Sequence, residues 1–216
     1  MRQWIVFGFG NYLSDVFDLI RVSQGRIKKI VNNIKPTKEQ WEDLKRRIAL
    51  LGYDVPIVEL DNFQPERSEG YCCGFINGRE KLIPILKKKY KIRFSCLIHP
   101  TACLGSNVSI SEGVCIGPNS VIAPNCSIGD FSIINRAASI GHDTVLEEYS
   151  TIAPGVSIGG MVRIGRRTTV GIGATIINDL CIGHNSMVGA GSVVIRDVPD
   201  DVVVVGSPAK FLRKNE

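Results

Sequence analysis

An aliphatic side chain stands at every sixth position from Ile98 to Val194, 17 times without interruption. This spacing matches neither the period of a helix, about 3.6 residues, nor the two-residue alternation of a strand. It is typical of a solenoid whose coils have flat sides of six residues, each side pointing one large aliphatic inward. The positions are Ile98, Leu104, Ile110, Ile116, Ile122, Ile128, Ile134, Ile140, Leu146, Ile152, Ile158, Ile164, Val170, Ile176, Ile182, Val188 and Val194.

Two other positions in each hexad carry a pattern of their own. The residue two places before the aliphatic is usually small, as in Ser120, Ala138 and Ser150, which predicts that it also points inward. Gly occupies the place after the aliphatic nine times, and Asn135 takes that place once. We expect these to be corners with unusual backbone angles, which Gly and Asn adopt more readily than other residues. The glycines are Gly105, Gly117, Gly129, Gly141, Gly159, Gly165, Gly171, Gly183 and Gly189.

On these residues the chain resembles the hexapeptide-repeat acyltransferases, whose motif is an aliphatic, a Gly and four further residues. The resemblance covers roughly residues 96–196. It implies a left-handed parallel β-helix with three sides, 18 residues in each coil and five to six coils for the 17 hexads found here. It also implies a homotrimer with active sites between neighbouring prisms.

The first 95 residues follow a different pattern, in which strand and helix signals alternate. Alternation of this kind predicts an α/β lobe with a small parallel βαβ sheet. We therefore expect three parts: a Rossmann-like lobe over 1–95, a β-helix over 96–205 and a tail over 206–216. The predicted elements are a strand at Trp4–Phe7, a helix with Leu13, Phe17 and Ile20, a strand at Ile27–Val31, a helix opened by Thr37 and Gln40 as a capping box, strands at Val55–Leu60 and Tyr71–Ile76, and a helix over Arg79–Tyr90.

Composition narrows the choice of partners and compartment. Residues 1–95 hold 18 Lys/Arg against 11 Asp/Glu, so this lobe is basic and is suited either to a phosphate-bearing ligand or to solvated helix faces. No nucleic-acid motif accompanies the charge, and no apolar run approaches the roughly 20 residues of a membrane span. An odd count of 7 cysteines, together with the lack of a signal-peptide pattern, predicts reduced thiols and a cytoplasmic location.

Of the three histidines, His142 is the candidate for catalysis. It lies two residues after the inward Ile140, so its side chain can point out of the solenoid, and Asp143 follows it directly. An acceptor amine or hydroxyl must lose a proton as it attacks a thioester, and His is the usual base for this at neutral pH. Asp143 can orient the ring. From the residues alone, a His in a solvent-facing turn is the alternative.

The segments Ile134–Asp143 and Ile152–Val156 resemble one branch in particular, the sialic-acid O-acetyltransferases and bacillosamine N-acetyltransferases. The resemblance implies that His142 is the catalytic base, that Asp143 increases its basicity and that Asn135 lines the acceptor site.

The same resemblance assigns residues around acetyl-coenzyme A. Gly160 stands 18 residues after His142, one coil further on, where its N–H can meet the thioester oxygen; the alternative is a plain turn. Ile172 and Ala190, also 18 apart, match positions along the coenzyme A groove, and Thr151 replaces a second His of one subfamily. Pro208, in Gly206–Lys210, resembles the family's closing Pro-Ala-Lys near the adenine.

The Gly8-Phe9-Gly10 turn sits between a predicted strand and a predicted helix, which is the right context for a phosphate at a helix N-terminus. In the branch that the chain resembles, this loop holds a nucleotide sugar. Here Asn11 and Tyr12 replace the last Gly and the His of that loop. Gly8, Gly10, Asn11 and Tyr12 are therefore candidate substrate-binding residues, with a purely structural lobe as the alternative.

Together these features predict an acetyl-coenzyme A-dependent acetyltransferase acting on an amino group or hydroxyl of a nucleotide-linked sugar, as in surface glycan biosynthesis. The hexad runs without an inserted loop, which favours the sugar-acylating branch. A non-catalytic nucleotide-sugar-binding or regulatory protein is the first alternative. A zinc hydro-lyase of the carbonic-anhydrase type is the second; because His99, His142 and His184 fall at different positions in the coil, we expect no metal site.

Overall fold

The computed structural model describes residues 1–66 and 70–215. The chain divides into two compact units, Met1–Leu97 and Ile98–Glu216. Within the described residues, no helix has both the length and the apolar character needed to cross a bilayer.

The first unit is an α/β lobe built on a four-stranded parallel sheet, as the alternating pattern predicts. The strand order is β3-β2-β1-β4, so the chain winds outward from β1 to β3 and then crosses back to place β4 on the other side of β1. The elements are β1 (Gln3–Phe7), α1 (Leu13–Val22), β2 (Arg26–Asn32), α2 (Lys38–Ala49), β3 (Ile57–Glu59), a 3-10 turn (Leu60–Asn62), β4 (Gly70–Cys73) and α3 (Arg79–Tyr90).

Local chemistry explains where these helices begin and which face they bury. The capping box predicted for α2 is present, because Thr37 Oγ1 accepts from Gln40 N–H while Gln40 Oε1 accepts from Thr37 N–H. Helix α1 buries the stripe Leu13, Phe17 and Ile20. The predicted strands at 55–60 and 71–76 are shorter in the structure.

The second unit is a left-handed parallel β-helix with three flat faces, and it confirms the predicted fold class. We call it the prism. Its strands are two residues long along most of each face. Face A consists of Cys103–Leu104, Val121–Ile122, Ser139–Ile140, Ser157–Ile158, Thr175–Ile176 and Val193–Val194. Face B consists of Ser109–Ile110, Ser127–Ile128, Val145–Leu146, Arg163–Ile164 and Cys181–Ile182. Face C consists of Leu97–Ile98, Cys115–Ile116, Ile133–Ile134, Thr151–Ile152, Thr169–Val170, Met187–Val188, Val202–Val205 and Lys210–Lys214.

The chain passes from face A to B to C and back to A, so three edges join the faces; we name them AB, BC and CA. Each residue of a coil stands beside the residue 18 positions further on, as in Ser139 beside Ser157 and Ile140 beside Ile158. The inward aliphatics fill the interior: Ile140 is 1% exposed and Ile152 is 0% exposed. The tail departs from this winding, since Lys210–Lys214 pairs antiparallel with Val202–Val205.

The small inward residues do more than fit beside the aliphatics. Ser120 Oγ donates to Asn135 O (2.8 Å), Ser132 Oγ to Glu147 O (3.0 Å) and Thr144 Oγ1 to Gly159 O (3.1 Å). Each carbonyl belongs to the corner position that lies 15 residues further along the chain. Because a buried carbonyl without a partner costs free energy, the hydroxyls satisfy polar atoms inside the prism at the places where the chain turns.

The reason we gave for the corner glycines is wrong. Gly105, Gly117, Gly129 and Gly141 have no positive φ, and neither does Asn135. The left-handed position lies two residues later, where Asn125 (φ 64°) and other residues occupy it. The glycines are required by the close approach of the next coil: a Cβ on Gly141 would lie 2.3 Å from Gly159 C, and one on Gly129 would lie 2.6 Å from Glu148 N.

A stability measurement can test whether the corner glycines are required by the close approach of the next coil. Gly129→Ala inserts a methyl group against the next coil's backbone, and we expect it to lower the free energy of unfolding by about 2 kcal/mol. Gly173→Asn is the matched control, because Gly173 has φ 65° and open space around its Cα, and Asn tolerates this conformation. We expect the control to change stability by less than about 0.5 kcal/mol in urea unfolding at fixed protein concentration. Equal losses in both variants would contradict the stacking explanation.

Candidate functional site

His142 and Asp143 lie in the turn that leaves face A at edge AB. Asp143 occupies the left-handed position of this turn with φ 57°, a conformation that Asp adopts more readily than most residues. Asp143 N–H donates to Pro124 O of the preceding coil, and His142 O accepts from Met161 N–H of the next coil. Backbone bonds on both sides therefore fix the turn and direct both side chains outward.

The two side chains form a hydrogen-bonded pair. His142 Nδ1 lies 2.7 Å from Asp143 Oδ2, and both side chains are about half exposed. The pKa of the Asp143 carboxyl is lowered from its ordinary value, first by the hydrogen bond with His142 and then by a hydrogen bond from Asn125. Asp143 is thus ionised at neutral pH and accepts a hydrogen bond from His142 Nδ1–H. The tautomer this favours leaves Nε2 with a free lone pair, and Nε2 has no partner among the described residues.

Gly160 lies directly beneath the His142 ring in the next coil. A Cβ built on Gly160 would stand 2.6 Å from His142 Nε2 and 2.8 Å from Cε1, so any larger residue would displace the imidazole. Gly160 is buried, and none of the described residues accepts a hydrogen bond from its N–H. The 18-residue spacing thus places the ring and this backbone donor together at edge AB; the donor's part in the reaction stays a prediction.

Asn135, Ile172 and Ala190 lie on a different edge, CA. Asn135 Oδ1 accepts from Arg136 N–H at 2.8 Å, and Asn135 N–H donates to Ile152 O at 2.8 Å. Ile172 is 62% exposed, and Ala190 stands one coil beyond it, also exposed. Within one prism, face A separates these residues from His142. Of the predicted acceptor-site and coenzyme A residues, a single chain therefore brings Gly160 to the predicted base but not Asn135, Ile172 or Ala190.

Thr151 and Pro208 are also separate from the His142 turn. Thr151 lies in a strand of face C, paired with Ile133 and Thr169, and is 8% exposed. Pro208 is exposed between the last two strands of face C, next to Ala209, whose N–H donates to Val193 O.

The three histidines lie on three different edges of the prism. His99 is on edge CA with its Nδ1 2.8 Å from Thr101 Oγ1, and His184 is on edge BC, where its Nδ1 accepts from Arg166 N–H at 3.1 Å. Across residues 1–66 and 70–215, no three His, Cys, Asp or Glu side chains come together as metal ligands. The geometry needed for a zinc hydro-lyase is thus not formed by the described part of one chain.

In the lobe, the predicted loop Gly8–Tyr12 joins β1 to α1. Gly8 (φ 146°) packs against Gly74, which follows β4, and a Cβ on Gly8 would stand 2.8 Å from Gly74 C. Gly10 has φ 123° and open space on its Cβ side. Tyr12 is the N-cap of α1 but provides no side-chain cap. The loop thus lies at the carboxyl end of β1, where the strand order reverses, the usual place for ligands in open α/β sheets.

Arg47 fixes this loop, and we did not predict it. Its guanidinium donates to Asn11 O (3.0 Å), Asn11 Oδ1 (2.8 Å), Ser14 Oγ (2.7 Å) and Asp43 Oδ2 (2.7 Å). The same contact lowers the pKa of Asp43. Asn11 is therefore tied to α2 by a residue 36 positions away.

Comparisons with known proteins find relatives of the whole fold among solved structures only. No family model matches the chain, and no curated protein matches it. Among solved structures, a variant of perosamine N-acetyltransferase from Caulobacter crescentus, in complex with coenzyme A and GDP-perosamine, is 25% identical with TM-score 0.81, covering 98% of this chain and 97% of that one. The acetyltransferase domain of PglB from Neisseria gonorrhoeae, with acetyl-coenzyme A, is 26% identical with TM-score 0.81, covering 98% and 99%. WeeI from Acinetobacter baumannii AYE is 25% identical with TM-score 0.80, covering 98% and 100%.

The prism and the neighbours together indicate an acyltransferase with a hexapeptide-repeat fold. The similarity to these sugar acetyltransferases runs over 98% of the chain and nearly all of each solved structure, so the chain resembles the hexapeptide-repeat sugar acetyltransferases from end to end. The predicted resemblance is confirmed, and so is the predicted class of enzyme, an acetyl-coenzyme A-dependent sugar acetyltransferase.

The His142–Asp143 bond gives the first functional test. Asp143→Asn keeps the shape and suits the left-handed turn, as Asn107 and Asn125 do in the same column. It removes the charge that holds the Nδ1–H tautomer, so we expect acetyl transfer, measured as kcat/KM by thiol release, to fall about 10- to 100-fold with an unchanged melting temperature. Activity within about two-fold of the wild type would show that the pair does not set the ring's basic nitrogen.

Proposed function

We propose that this chain transfers the acetyl group of acetyl-coenzyme A to an amino group of a nucleotide-linked sugar, with His142 as the general base. The observation that carries the proposal is the His142 ring itself, bonded to Asp143 through Nδ1 and presenting an unpartnered Nε2 above the backbone of Gly160. Perosamine N-acetyltransferase and the PglB domain, which match nearly the whole chain, support the same chemistry.

The residues fit an attack by an amine on a thioester. Nε2 takes a proton from the amine as its nitrogen bonds to the acetyl carbon, and the carbonyl oxygen becomes an oxyanion. A backbone N–H near Gly160 is suited to hold that charge. When the carbon–sulfur bond breaks, the imidazolium returns its proton to the departing thiolate. The products are the acetylated sugar and coenzyme A, and no metal takes part.

An amine is a better acceptor than a hydroxyl for this site. Once deprotonated by bulk solvent, a sugar amine is already a nucleophile, and it needs only a base that removes its second proton during attack. The exposed His142 imidazole, paired with the Asp143 carboxylate, is such a base. That perosamine, an amino sugar, is the substrate of one similar enzyme supports the choice.

The lobe is the proposed site for the nucleotide. The loop Gly8–Tyr12 lies at the carboxyl ends of the strands, Gly10 leaves its Cβ side open, and Arg47 holds Asn11 in place. A sequence net charge of +7 over residues 1–95 favours a diphosphate. The perosamine enzyme in complex with a GDP-sugar supports a nucleotide-linked acceptor for this chain.

A complete active site requires a second copy of the chain. His142 lies on edge AB while Asn135, Ile172 and Ala190 lie on edge CA, so edge AB of one protomer must meet edge CA of its neighbour. Exposed apolar side chains on or beside face A, which a partner would cover, support this packing. We propose a cytoplasmic homotrimer, in which three contacts between edge AB of one protomer and edge CA of the next close a ring. These apolar residues are Leu104, Val121, Met161, Ile177 and Ile195.

Replacing the proposed base separates catalysis from binding. His142→Ala removes the proton acceptor and leaves the coenzyme A groove intact, so we expect kcat to fall about 100- to 1,000-fold while calorimetry shows acetyl-coenzyme A affinity within about three-fold of the wild type. His184→Ala is the matched control, because His184 lies on edge BC and should retain full activity. A wild type that binds acetyl-coenzyme A but acetylates no member of a panel of nucleotide-linked 3-amino and 4-amino sugars would instead favour the regulatory alternative.

Mixed trimers test whether the site spans two protomers. His142→Ala and Asn135→Ala are each expected to be inactive alone, because every site then lacks one residue. When the two are co-refolded, about one quarter of the sites combine an intact edge AB with an intact edge CA, and thiol release should recover to about that fraction of the wild type. His142→Ala mixed with Asp143→Asn is the control, since both changes affect edge AB and no recovery is expected. Recovery in neither mixture would contradict the shared site.

A further inference from the structure

A column of amide side chains leads to the catalytic carboxylate along edge AB. Asn107, Asn125 and Asp143 occupy the same left-handed position in three successive coils, with φ of 59°, 64° and 57°. Asn125 Nδ2 donates to Asp143 Oδ1 at 3.1 Å, and Asn107 Nδ2 donates to Asn125 Oδ1 at 3.3 Å. The column therefore ends on the carboxylate oxygen that His142 does not use.

Chemistry fixes the direction of these bonds. The ionised Asp143 carboxylate can only accept, so Asn125 must present its NH2 group to it, and the Asn125 carbonyl oxygen must then face Asn107. Asn107 in turn must present its own NH2. Each amide is oriented by the next, and every donor points towards Asp143.

We propose that Asn125, supported by Asn107, is a positioning residue: it holds the Asp143 carboxylate so that Oδ2 faces His142 Nδ1, and thereby fixes the ring tautomer with Nε2 as the base. The Asp143 carboxylate can rotate about its Cβ–Cγ bond and so turn away from the ring. The hydrogen bond from Asn125 to one oxygen fixes this rotation and keeps the other oxygen on His142 Nδ1. This inference rests on the proposed function, because it assigns the work of Nε2 to acetyl transfer.

Three variants separate positioning from packing. Asn125→Gly removes the amide at a position whose φ suits Gly, and we expect kcat to fall about 3- to 10-fold with KM for acetyl-coenzyme A within about two-fold. Asn125→Asp keeps the shape and the turn but replaces the donor with a carboxylate beside Asp143, so kcat should fall at least as far. If Asn125 served only to adopt the left-handed turn, Asp in its place would leave kcat unchanged.

Asn185→Gly is the matched control. Asn185 has φ 50° and donates Nδ2 to Asp201 Oδ1 at 2.7 Å, so it makes the same kind of bond in the same conformation on edge BC. We expect this variant to keep kcat within about two-fold of the wild type. Melting temperature and oligomeric state are measured for every variant, so that a loss of folding is recognised.

The ring tautomer gives a readout that does not depend on turnover. With ¹⁵N-labelled histidine the chain has three pairs of ring-nitrogen signals, from His99, His142 and His184, and the pair that is lost in His142→Ala belongs to His142. We expect Nδ1–H for His142 in the wild type and a mixture with Nε2–H in Asn125→Gly. Unchanged His142 signals in both Asn125 variants overturn the inference, whatever happens to kcat. A tautomer change in a protein that acetylates no amino sugar would support the positioning and contradict the proposed function.

Discussion

Backbone hydrogen bonding between coils 18 residues apart is the interaction on which the structure depends. Each two-residue strand pairs with the strands above and below it, as Ile140 does with Ile122 and Ile158. This ladder leaves no freedom of register, because a slip of one residue would expose the inward aliphatics. The corner glycines and the buried hydroxyls follow from it. The first let successive coils approach, and the second satisfy carbonyls where the chain turns.

The same ladder positions the residues of the candidate site. Because residues 18 apart share a column, His142 lies beside Gly160 of the next coil and Asp143 lies beside Asn125 of the preceding coil, with no loop of adjustable shape between them. The coils thus preorganise this candidate site, and the residue that each coil places on edge AB determines its chemistry. Within one chain the residues of edge CA lie on the far side of face A from His142, and this separation is the reason for the trimer that we propose.

Much of this could be predicted from the sequence, because a fixed period converts sequence distance into spatial distance. The hexad predicted the prism, and its 18-residue coil placed Gly160 beside His142. In the lobe, Thr37 and Gln40 marked the start of α2 correctly. The conformation predicted for the corner glycines was wrong. The sequence alone cannot distinguish a position that requires a positive φ from one where a Cβ would collide with the next coil.

Other features could not be predicted because they depend on orientation rather than on period. Asn125 lies in the column of Asp143, but the hydrogen bond from its side-chain amide to Asp143 depends on the left-handed turn two residues after the corner. Arg47 in α2 reaches Asn11 in the loop before α1, and no local pattern relates positions 36 apart. That the predicted site residues fall on two edges of the prism also becomes clear only when the faces are known.

The most direct test of the central claim is a crystal structure of the chain with coenzyme A and a nucleotide-linked amino sugar. We expect the sugar nitrogen within about 2.6–3.2 Å of His142 Nε2, with the coenzyme A sulfur beside it, in a cleft between edge AB of one protomer and edge CA of another. A sugar amine bound at another edge, without contact to the His142 ring, would contradict the account.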